Sequence, residues 1–272
     1  MKKIILLLVI TVVFNCKNET KDNGKLNVVT TTTMITDLVK NIGGDSINVQ
    51  GLMGSGVDPH LYKASEGDVS KLVNADIIFY NGLHLEGKLV EVFEKMGSAT
   101  KTPIALADEL DKSNLIGSDY FASNYDPHVW FDINYFKQFA EKVAEVLSEK
   151  NPENTSVFEA NKKAYLSKLD QLKAKVNTVI ETLQKEKRIL VTAHDAFNYF
   201  GKAYGFEVVG LQGLSTATEA GVQDVQKLAT FIIKKEIKAV FVESSVPKRT
   251  IEALQAAVKS KGHEVNIGGT LF

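Results

Sequence analysis

A long segment without glycine or proline constrains the fold of this chain more than any other feature. It begins at Asn151-Pro152-Glu153, where asparagine is a good N-cap and proline is tolerated in the first helical turn, and neither glycine nor proline recurs before residue 188. Apolar residues follow at alternating steps of four and three, which is one helical stripe: Tyr165, Leu169, Leu172, Val176, Val179 and Leu183. The pattern predicts one continuous helix over residues 152–185, roughly 50 Å long. A coiled coil is the alternative, but a single stripe without a partner segment favours a rigid helix that links two lobes.

Short apolar runs alternate with amphipathic stretches on both sides of this segment. Such alternation is typical of βα units and predicts an α/β fold. Before the segment we predict strands at 26–29, 47–52, 76–80 and 104–107, and helices at 34–42, 65–73, 87–95 and 132–149. After it we predict strands at 188–192, 207–210, 239–243 and 264–267, and helices at 196–204, 221–235 and 248–260. The expected architecture is two Rossmann-like lobes, at 26–150 and 188–272, bridged by one long rigid helix within 151–187.

The N-terminus has the pattern of an export signal. Two lysines follow Met1, and the apolar run Ile4–Phe14 is too short to span about 30 Å of hydrocarbon. Cys16 follows at once, as in lipoprotein signals, where this cysteine becomes the lipidated N-terminus. We therefore predict a lipoprotein signal at 1–16 and a polar, flexible tether at 17–25. The predicted location is extracytoplasmic, with a lipid anchor at Cys16; the alternative is a plain secretory signal with an incidental cysteine.

Opposite charges nearly cancel in this chain. There are 32 basic and 33 acidic residues, giving a net charge of −1, and no basic stripe follows the N-terminus. Because nucleic-acid affinity rests on clustered lysine and arginine, the charge pattern argues against a nucleic-acid partner. Cys16 is the only cysteine, so we expect packing and bound metal, not a disulfide, to stabilise the fold.

Three of the five histidines lie in settings that suit a metal ligand. His60 and His128 each follow an Asp-Pro pair, and His194 stands where a predicted strand ends and a helix begins. Loops at the carboxyl ends of parallel strands converge on the crevice where ligands bind. Proline stiffens the backbone beside the ligand, imidazole is the commonest transition-metal ligand, and a nearby carboxylate can orient its second nitrogen. We predict that these three side chains meet in the cleft between the lobes.

The remaining polar residues are assigned lesser roles. Glu243, at a predicted strand end, and Glu219 are expected to support the histidines or to substitute for a ligand; for Glu219 the alternative is a place at a helix N-terminus. His84 is expected at the rim of the cleft and His263 in an exposed turn. No catalytic residue is predicted, since Ser244-Ser245 lacks a His-Asp arrangement.

Ordered motifs along nearly the whole mature chain resemble one family. The chain is similar to the zinc- and manganese-binding solute-binding proteins of ABC transporters, the ZnuA/TroA-like family. The motifs are GVDPHLY at 56–62, DPHVWFD at 126–132, TAHDAF at 192–197, GLQGLST at 210–216, VESS at 242–245 and GGTLF at 268–272. The resemblance implies two α/β lobes joined by a long helix, with His60, His128 and His194 as three of the family's ligands.

Two departures from the family pattern stand out. The family's fourth ligand is an aspartate two residues beyond the last motif, and the sequence ends at Phe272. We therefore expect the fourth ligand beyond residue 272, an incomplete second lobe, and residues 268–272 running toward the cleft. Many zinc-specific relatives carry a histidine-rich loop before the second histidine motif, whereas residues 108–125 contain no histidine.

The resemblance implies a receptor that captures one divalent ion and delivers it to an ABC transporter permease. Nitrogen ligands favour Zn²⁺, with Mn²⁺ next and iron behind. We expect a monomer without enzymatic activity. The alternatives are a surface adhesin with a structural metal and, less favoured, a zinc hydrolase.

Overall fold

The structure of the protein is a computed structural model that describes residues 24–97, 103–119 and 121–272. The predicted lipoprotein signal, with Cys16, and most of the tether at 17–25 lie outside these residues. Within them the fold is α/β, as predicted, with parallel sheets and one long helix.

The first lobe is built on one parallel sheet. Its elements are β1 Leu26–Thr30, α1 Thr33–Gly43, β2 Ile47–Gly51, α2 Glu66–Asn74, β3 Ile77–Tyr80, α3 Val90–Gly97, β4 Ile104–Ala105 and α4 Ile133–Lys150. The strand order is β2-β1-β3-β4, with Val28 of β1 opposite Val49 on one side and Ile77 on the other. Since all four strands are parallel, the loops that follow them leave from the same edge of the sheet.

The second lobe repeats this arrangement with two strand pairs. Its elements are β5 Ile189–His194, α6 Asn198–Tyr204, β6 Glu207–Gln212, α7 Val222–Lys234, β7 Ala239–Glu243, α8 Arg249–Ser260 and β8 Asn266–Leu271. Strand β5 pairs with β6 and β7 pairs with β8, both in parallel, and β5 also lies against β7. Strands β5 and β7 therefore end side by side, at the edge that carries His194 and Glu243.

The predicted linking helix is present, but it is shorter than the predicted range of 152–185. Helix α5 spans Thr155–Glu181 and is preceded by a 3₁₀ turn at Pro152–Asn154, a tighter turn that is common where helices begin. Its first half packs against α1 and α4 through Phe158, Tyr165 and Leu169, which are buried.

The predicted apolar stripe is buried only in this first half. Leu172 and Val179 are 47% and 61% exposed, so the second half of α5 projects away from the core of the first lobe. Arg188 connects its end to the second lobe by donating hydrogen bonds to the carbonyls of Ile180, Leu183 and Tyr204.

Helix α6 of the second lobe forms another connection. Tyr199 is fully buried in the hydrophobic core of the first lobe. Its hydroxyl donates to the carbonyl of Asp126 and accepts from the amide of Ile116, at 3.1 and 3.0 Å. Lys202 donates to the carbonyl of Asn114 at 2.6 Å. The two lobes are therefore joined by packing as well as by the chain.

Other element boundaries differ from the predictions as well, most clearly those of α3 and β8. Helix α3 begins at Val90 and not near residue 87, because Gly82, Leu83 and His84 all have positive φ (87°, 48° and 64°) and form a turn after β3. Strand β8 begins at Asn266 and extends to Leu271, since its backbone pairs with β7 up to Glu243.

Candidate metal centre

The three predicted histidines converge in the cleft between the lobes. His60 lies in the loop after β2, His128 precedes a 3₁₀ turn at Val129–Phe131, and His194 is the last residue of β5. All three residues are buried: His60 is 6% exposed, His128 is 1% exposed and His194 is 6% exposed. Each offers one ring nitrogen, and these nitrogens all lie within 4.8 Å of one another.

The spacing suits a single small cation. His60 Nε2 and His128 Nε2 are 3.2 Å apart. Two nitrogens bound tetrahedrally at about 2.0–2.1 Å from Zn²⁺ would be roughly 3.4 Å apart. An ion therefore fits between these imidazoles with only small shifts of the rings.

Asp126 orients the imidazole of His128. Its Oδ1 contacts His128 Nδ1 at 2.7 Å and accepts the backbone amide of the same residue at 2.9 Å. The other carboxylate oxygen accepts from Asn198 Nδ2 of the second lobe, at 3.1 Å. With Nδ1 held by the carboxylate, Nε2 is the nitrogen left to face the cleft, which is the arrangement typical of metal-bound histidine.

Glu243 has the same position relative to His194. Its Oε2 lies against His194 Nδ1, and its Oε1 accepts the backbone amide of His194 at 2.8 Å. Glu243 is itself only 5% exposed. These contacts support the predicted role of Glu243 as a residue that orients His194. Both of its carboxylate oxygens contact His194.

The loop that carries His60 contacts both lobes. Asp58 Oδ1 accepts the backbone amide of His60 at 2.9 Å, and its Oδ2 accepts the hydroxyl of Thr216 across the cleft. Gly56, at φ 77°, lies so close to the second lobe that an added Cβ would be 3.3 Å from the carbonyl oxygen of Ser244. A side chain at residue 56 would therefore disturb the closed cleft as well as the loop backbone.

Burial keeps His60 and His128 in their neutral, metal-binding form. Burial is the main cause that lowers the pKa of His60 to about 2, reinforced by the neighbouring His128 and His194. Burial also lowers the pKa of His128, against the opposing effect of Asp126. Because a metal ion binds the neutral imidazole, the site is ready for a cation without first losing protons from these two rings.

The histidines line one cavity of about 360 Å³. Its wall also includes Trp130, Phe131 and Phe197, which are apolar, and the ends of β7 and β8 with Leu271 and Phe272. Residues 268–272 thus run toward the cleft, as the sequence predicted.

One predicted supporting residue lies elsewhere. Glu219 is an exposed residue whose side chain pairs with Arg249 at 2.5 Å, and it does not line the cavity. The prediction that Glu219 supports or replaces a ligand is therefore wrong, because its carboxylate forms an ion pair with the Arg249 guanidinium at the surface. His84 is exposed near the rim, where its ring contacts Phe121, which in turn contacts His60; His263 lies away from the three histidines, with Nε2 near the carbonyl of Ile237.

Sequence patterns indicated the three converging histidines more readily than the residues that hold them. Asp126 and Asp58 could have been assigned their contacts, because an aspartate two residues before each histidine is placed to accept its amide. Thr216 and Tyr199 carry no comparable signal, since their partners are far away in the sequence.

The fold and this site define a two-lobed binding protein with a buried three-histidine centre. The family described as ZnuA, "Zinc-uptake complex component A periplasmic", matches residues 28–271. The chain belongs to this family, which confirms the resemblance to metal-binding solute-binding proteins of ABC transporters.

Individual relatives agree with this assignment. The zinc-binding protein TroA of Treponema pallidum (strain Nichols) is 48% identical over 259 residues, covering 95% of this chain and 83% of TroA. The manganese-binding lipoprotein MntA of Bacillus subtilis (strain 168) is 46% identical over 248 residues, covering 91% of this chain and 80% of MntA. The solved structure of periplasmic zinc-binding TroA from Treponema pallidum superposes with a TM-score of 0.88, at 48% identity, covering 92% of this chain and 89% of that chain. The predicted two-lobed fold with a long helix is therefore confirmed.

None of the helices in 24–97, 103–119 and 121–272 combines the length and apolar character needed to cross a bilayer.

Proposed function

We propose that this protein is the extracytoplasmic receptor of an ABC importer that captures one divalent transition metal and delivers it to a membrane permease. The observation that carries the proposal is the convergence of three buried imidazoles, His60, His128 and His194, on one point between the lobes. Carboxylates orient two of them, and burial lowers the pKa of His60 and His128, so the site suits a cation.

The proposed cargo is Zn²⁺ or Mn²⁺. Three nitrogen donors suit Zn²⁺, and the TroA relative is named for zinc. The MntA relative is named for manganese, an ion that prefers oxygen donors. Because Zn²⁺ binds most sites more tightly than Mn²⁺, affinity measured in vitro does not identify the physiological ion. Metal analysis of the protein purified from its own organism does.

The location and partners follow from the same proposal. A lipid at Cys16 would hold the protein at the outer side of the cell membrane, with residues 17–25 as the tether, residues 26–150 and 188–272 as lobes, and 151–187 as the link. There it would meet the permease as a monomer. The lipoprotein named among the relatives supports the anchor.

A hydrolytic role is disfavoured by the surroundings of the histidines. A zinc hydrolase needs a free base beside metal-bound water. The described cavity wall contributes two carboxylates, Asp58 and Glu243. Asp58 already bonds His60 and Thr216, and Glu243 already contacts His194 at both oxygens. We therefore propose binding without turnover.

The test combines titration with uptake. Metal-free protein is expected to bind one equivalent of Zn²⁺ or Mn²⁺, with no hydrolysis of ester, peptide or phosphate substrates. A deletion strain is expected to lose uptake of the cargo, and to regain it with the wild-type gene and with a His263→Gln gene but not with a His128→Gln gene. Normal uptake in the deletion strain would refute the receptor and favour an adhesin with a structural metal.

A further inference from the structure

We propose that Glu86 is a positioning residue of the metal centre, whose buried carboxylate holds together the strand ends from which the His60 and His128 loops leave. This role rests on the proposed metal binding and extends it to a residue that lines no part of the described cavity.

Glu86 is an unusual group for the interior of the first lobe. It is only 1% exposed, and within the described residues no lysine, arginine or histidine forms an ion pair with it. Its Oε1 accepts hydrogen bonds from the hydroxyl of Thr31 and the amide of Asn81, both at 2.7 Å, and its Oε2 accepts the amide of Gly82 at 3.3 Å. Because a buried carboxylate is costly without donors, these three bonds fix the groups around it.

One donor belongs to the β1 end, next to the His60 loop. Thr31 follows β1, and its carbonyl accepts the amide of Met53 at 3.0 Å. Met53 opens the loop that leads to His60. The amide of Thr31 donates to the carbonyl of Phe79 in β3 at 3.2 Å. Thr31 therefore already connects the end of β1 to β3 and to the loop that follows β2. Glu86 adds the side chain of Thr31 to that junction.

The other donors belong to the β3 end, next to the His128 loop. Asn81 follows β3, and its Nδ2 donates to the carbonyl of Pro127 at 3.0 Å, one residue before His128. The same nitrogen donates to the carbonyl of Gly82. By accepting the amides of Asn81 and Gly82, Glu86 fixes the position of Asn81, whose side chain holds the His128 loop at Pro127.

The turn between Asn81 and Glu86 requires such an acceptor. Gly82, Leu83 and His84 have φ values of 87°, 48° and 64°, and positive φ is unfavourable for leucine and histidine. The carboxylate bonds the amides at the start of this turn. Without it the turn would lose the bonds that oppose its strain, and Asn81 would no longer be fixed under Pro127.

Two variants separate positioning from simple charge attraction. Glu86→Gln keeps the shape of the side chain but replaces one acceptor oxygen by an NH₂ group, so at least one turn amide is left without its acceptor. Asn81→Ala removes the bond to Pro127 without changing any charge. If Glu86 acts through Asn81, the two substitutions affect the same link, and their effects on metal affinity are not additive.

The experiment measures the affinity of the full chain for Zn²⁺, by competition with a chelator, together with the visible spectrum of the Co²⁺-loaded protein. Glu86→Gln is expected to weaken Zn²⁺ binding about 10-fold, the lower end of the loss caused by removing a direct partner of a metal ligand, and to change the Co²⁺ spectrum. Asn81→Ala is expected to have the same effects. The double variant is expected to bind Zn²⁺ about as weakly as the single variant with the lower affinity.

Two controls define the baseline. Asp76→Asn removes a carboxylate that accepts the amide of Asn27 at the opposite edge of the same sheet. Val146→Ala loosens the buried core of the same lobe without touching the junction. Both are expected to leave the Zn²⁺ affinity and the Co²⁺ spectrum unchanged, which separates positioning from a general loss of stability.

Three results would overturn the proposal. The first is wild-type affinity and spectrum in Glu86→Gln. The second is weakening that adds fully to that of Asn81→Ala, which would indicate charge attraction. The third is equal weakening in Val146→Ala. If instead the wild-type protein binds no metal, the proposed function fails, and that outcome is distinct from all three.

Discussion

At the residue scale, the site depends on what each imidazole contacts on its far side. His128 is held at Nδ1 by Asp126, Glu243 lies against Nδ1 of His194 and accepts its backbone amide, and His60 is held through its backbone by Asp58. His84 is exposed and lies one aromatic ring, that of Phe121, away from His60. Chemical identity alone therefore does not make a histidine a ligand; burial and a fixed orientation do.

Substitution of single histidines should distinguish the buried, oriented histidines from the histidines outside the cluster. His128→Gln is expected to weaken Zn²⁺ binding about 100-fold or more, because loss of an outer partner alone costs about 10–100-fold. His84→Gln and His263→Gln are expected to stay within about threefold of the wild type, since neither ring lies with the ligand cluster. Competitive titration with a chelator measures all three. Equal losses in His84→Gln and His128→Gln would contradict the assigned ligands.

Acid should destabilise the metal-free protein through the buried histidines. His60 has a pKa lowered to about 2 when folded, against about 6.5 when unfolded, so between these values the unfolded chain binds the extra proton. Stability is therefore present above pH 6.5 and declines as the pH falls, by about 2 kcal/mol at pH 5 for this residue. Urea unfolding at pH 7.5 and 5 measures the decline, and His60→Gln is expected to reduce it. An identical pH dependence in the variant would show that His60 does not cause it.

The sequence predicted the convergence of the three histidines well because the chemistry is local. His60 and His128 each follow an Asp-Pro pair, and the aspartate, proline and histidine interact within three residues. Glu86 and Thr216 could not be assigned in this way. Their roles depend on contacts with Thr31, 55 positions away, and Asp58, 158 positions away, and no spacing in the sequence records such contacts.

At the element scale, the linking helix illustrates the limit of periodicity. The absence of glycine and proline predicted one helix, and α5 is continuous from Thr155 to Glu181. The stripe from Tyr165 to Leu183 predicted a buried face, yet only its first part packs on the first lobe. A helical repeat indicates which residues share a face, but it does not indicate how far the neighbouring helices extend along that face.

Two leucines on α5 test this division. Leu169 is 8% exposed in the core of the first lobe, and Leu172 is 47% exposed one turn later. Leu169→Ala is expected to lower the free energy of unfolding by about 2–4 kcal/mol, and Leu172→Ala by less than about 1 kcal/mol. Urea unfolding of the metal-free proteins measures both. A similar loss in the two variants would place the second half of α5 against a partner.

At the scale of the whole molecule, the described parts of the two lobes are also joined away from the cleft. Arg188 ties the end of α5 to Tyr204, and α6 inserts Tyr199 into the core of the first lobe. A hinge of the kind that allows wide closure of two lobes would have to break the second connection. Capture of the ion is therefore expected to involve local movement of the His60 and His128 loops.

Scattering in solution tests this rigidity. Metal-free and metal-loaded protein are expected to give the same radius of gyration, because α5 has no internal glycine or proline and Tyr199 is fully buried. Small-angle X-ray scattering measures the change. A difference that requires a large rotation of one lobe would contradict a rigid link.

The central claim is that three imidazoles hold one metal ion between the lobes, and X-ray absorption spectroscopy of the zinc-loaded protein tests it most directly. The expected result is one Zn²⁺ per chain with about three imidazole nitrogens at roughly 2.0–2.1 Å, falling to about two in His128→Gln. A spectrum without imidazole scattering, or one that is identical in the wild type and in His128→Gln, would contradict the claim.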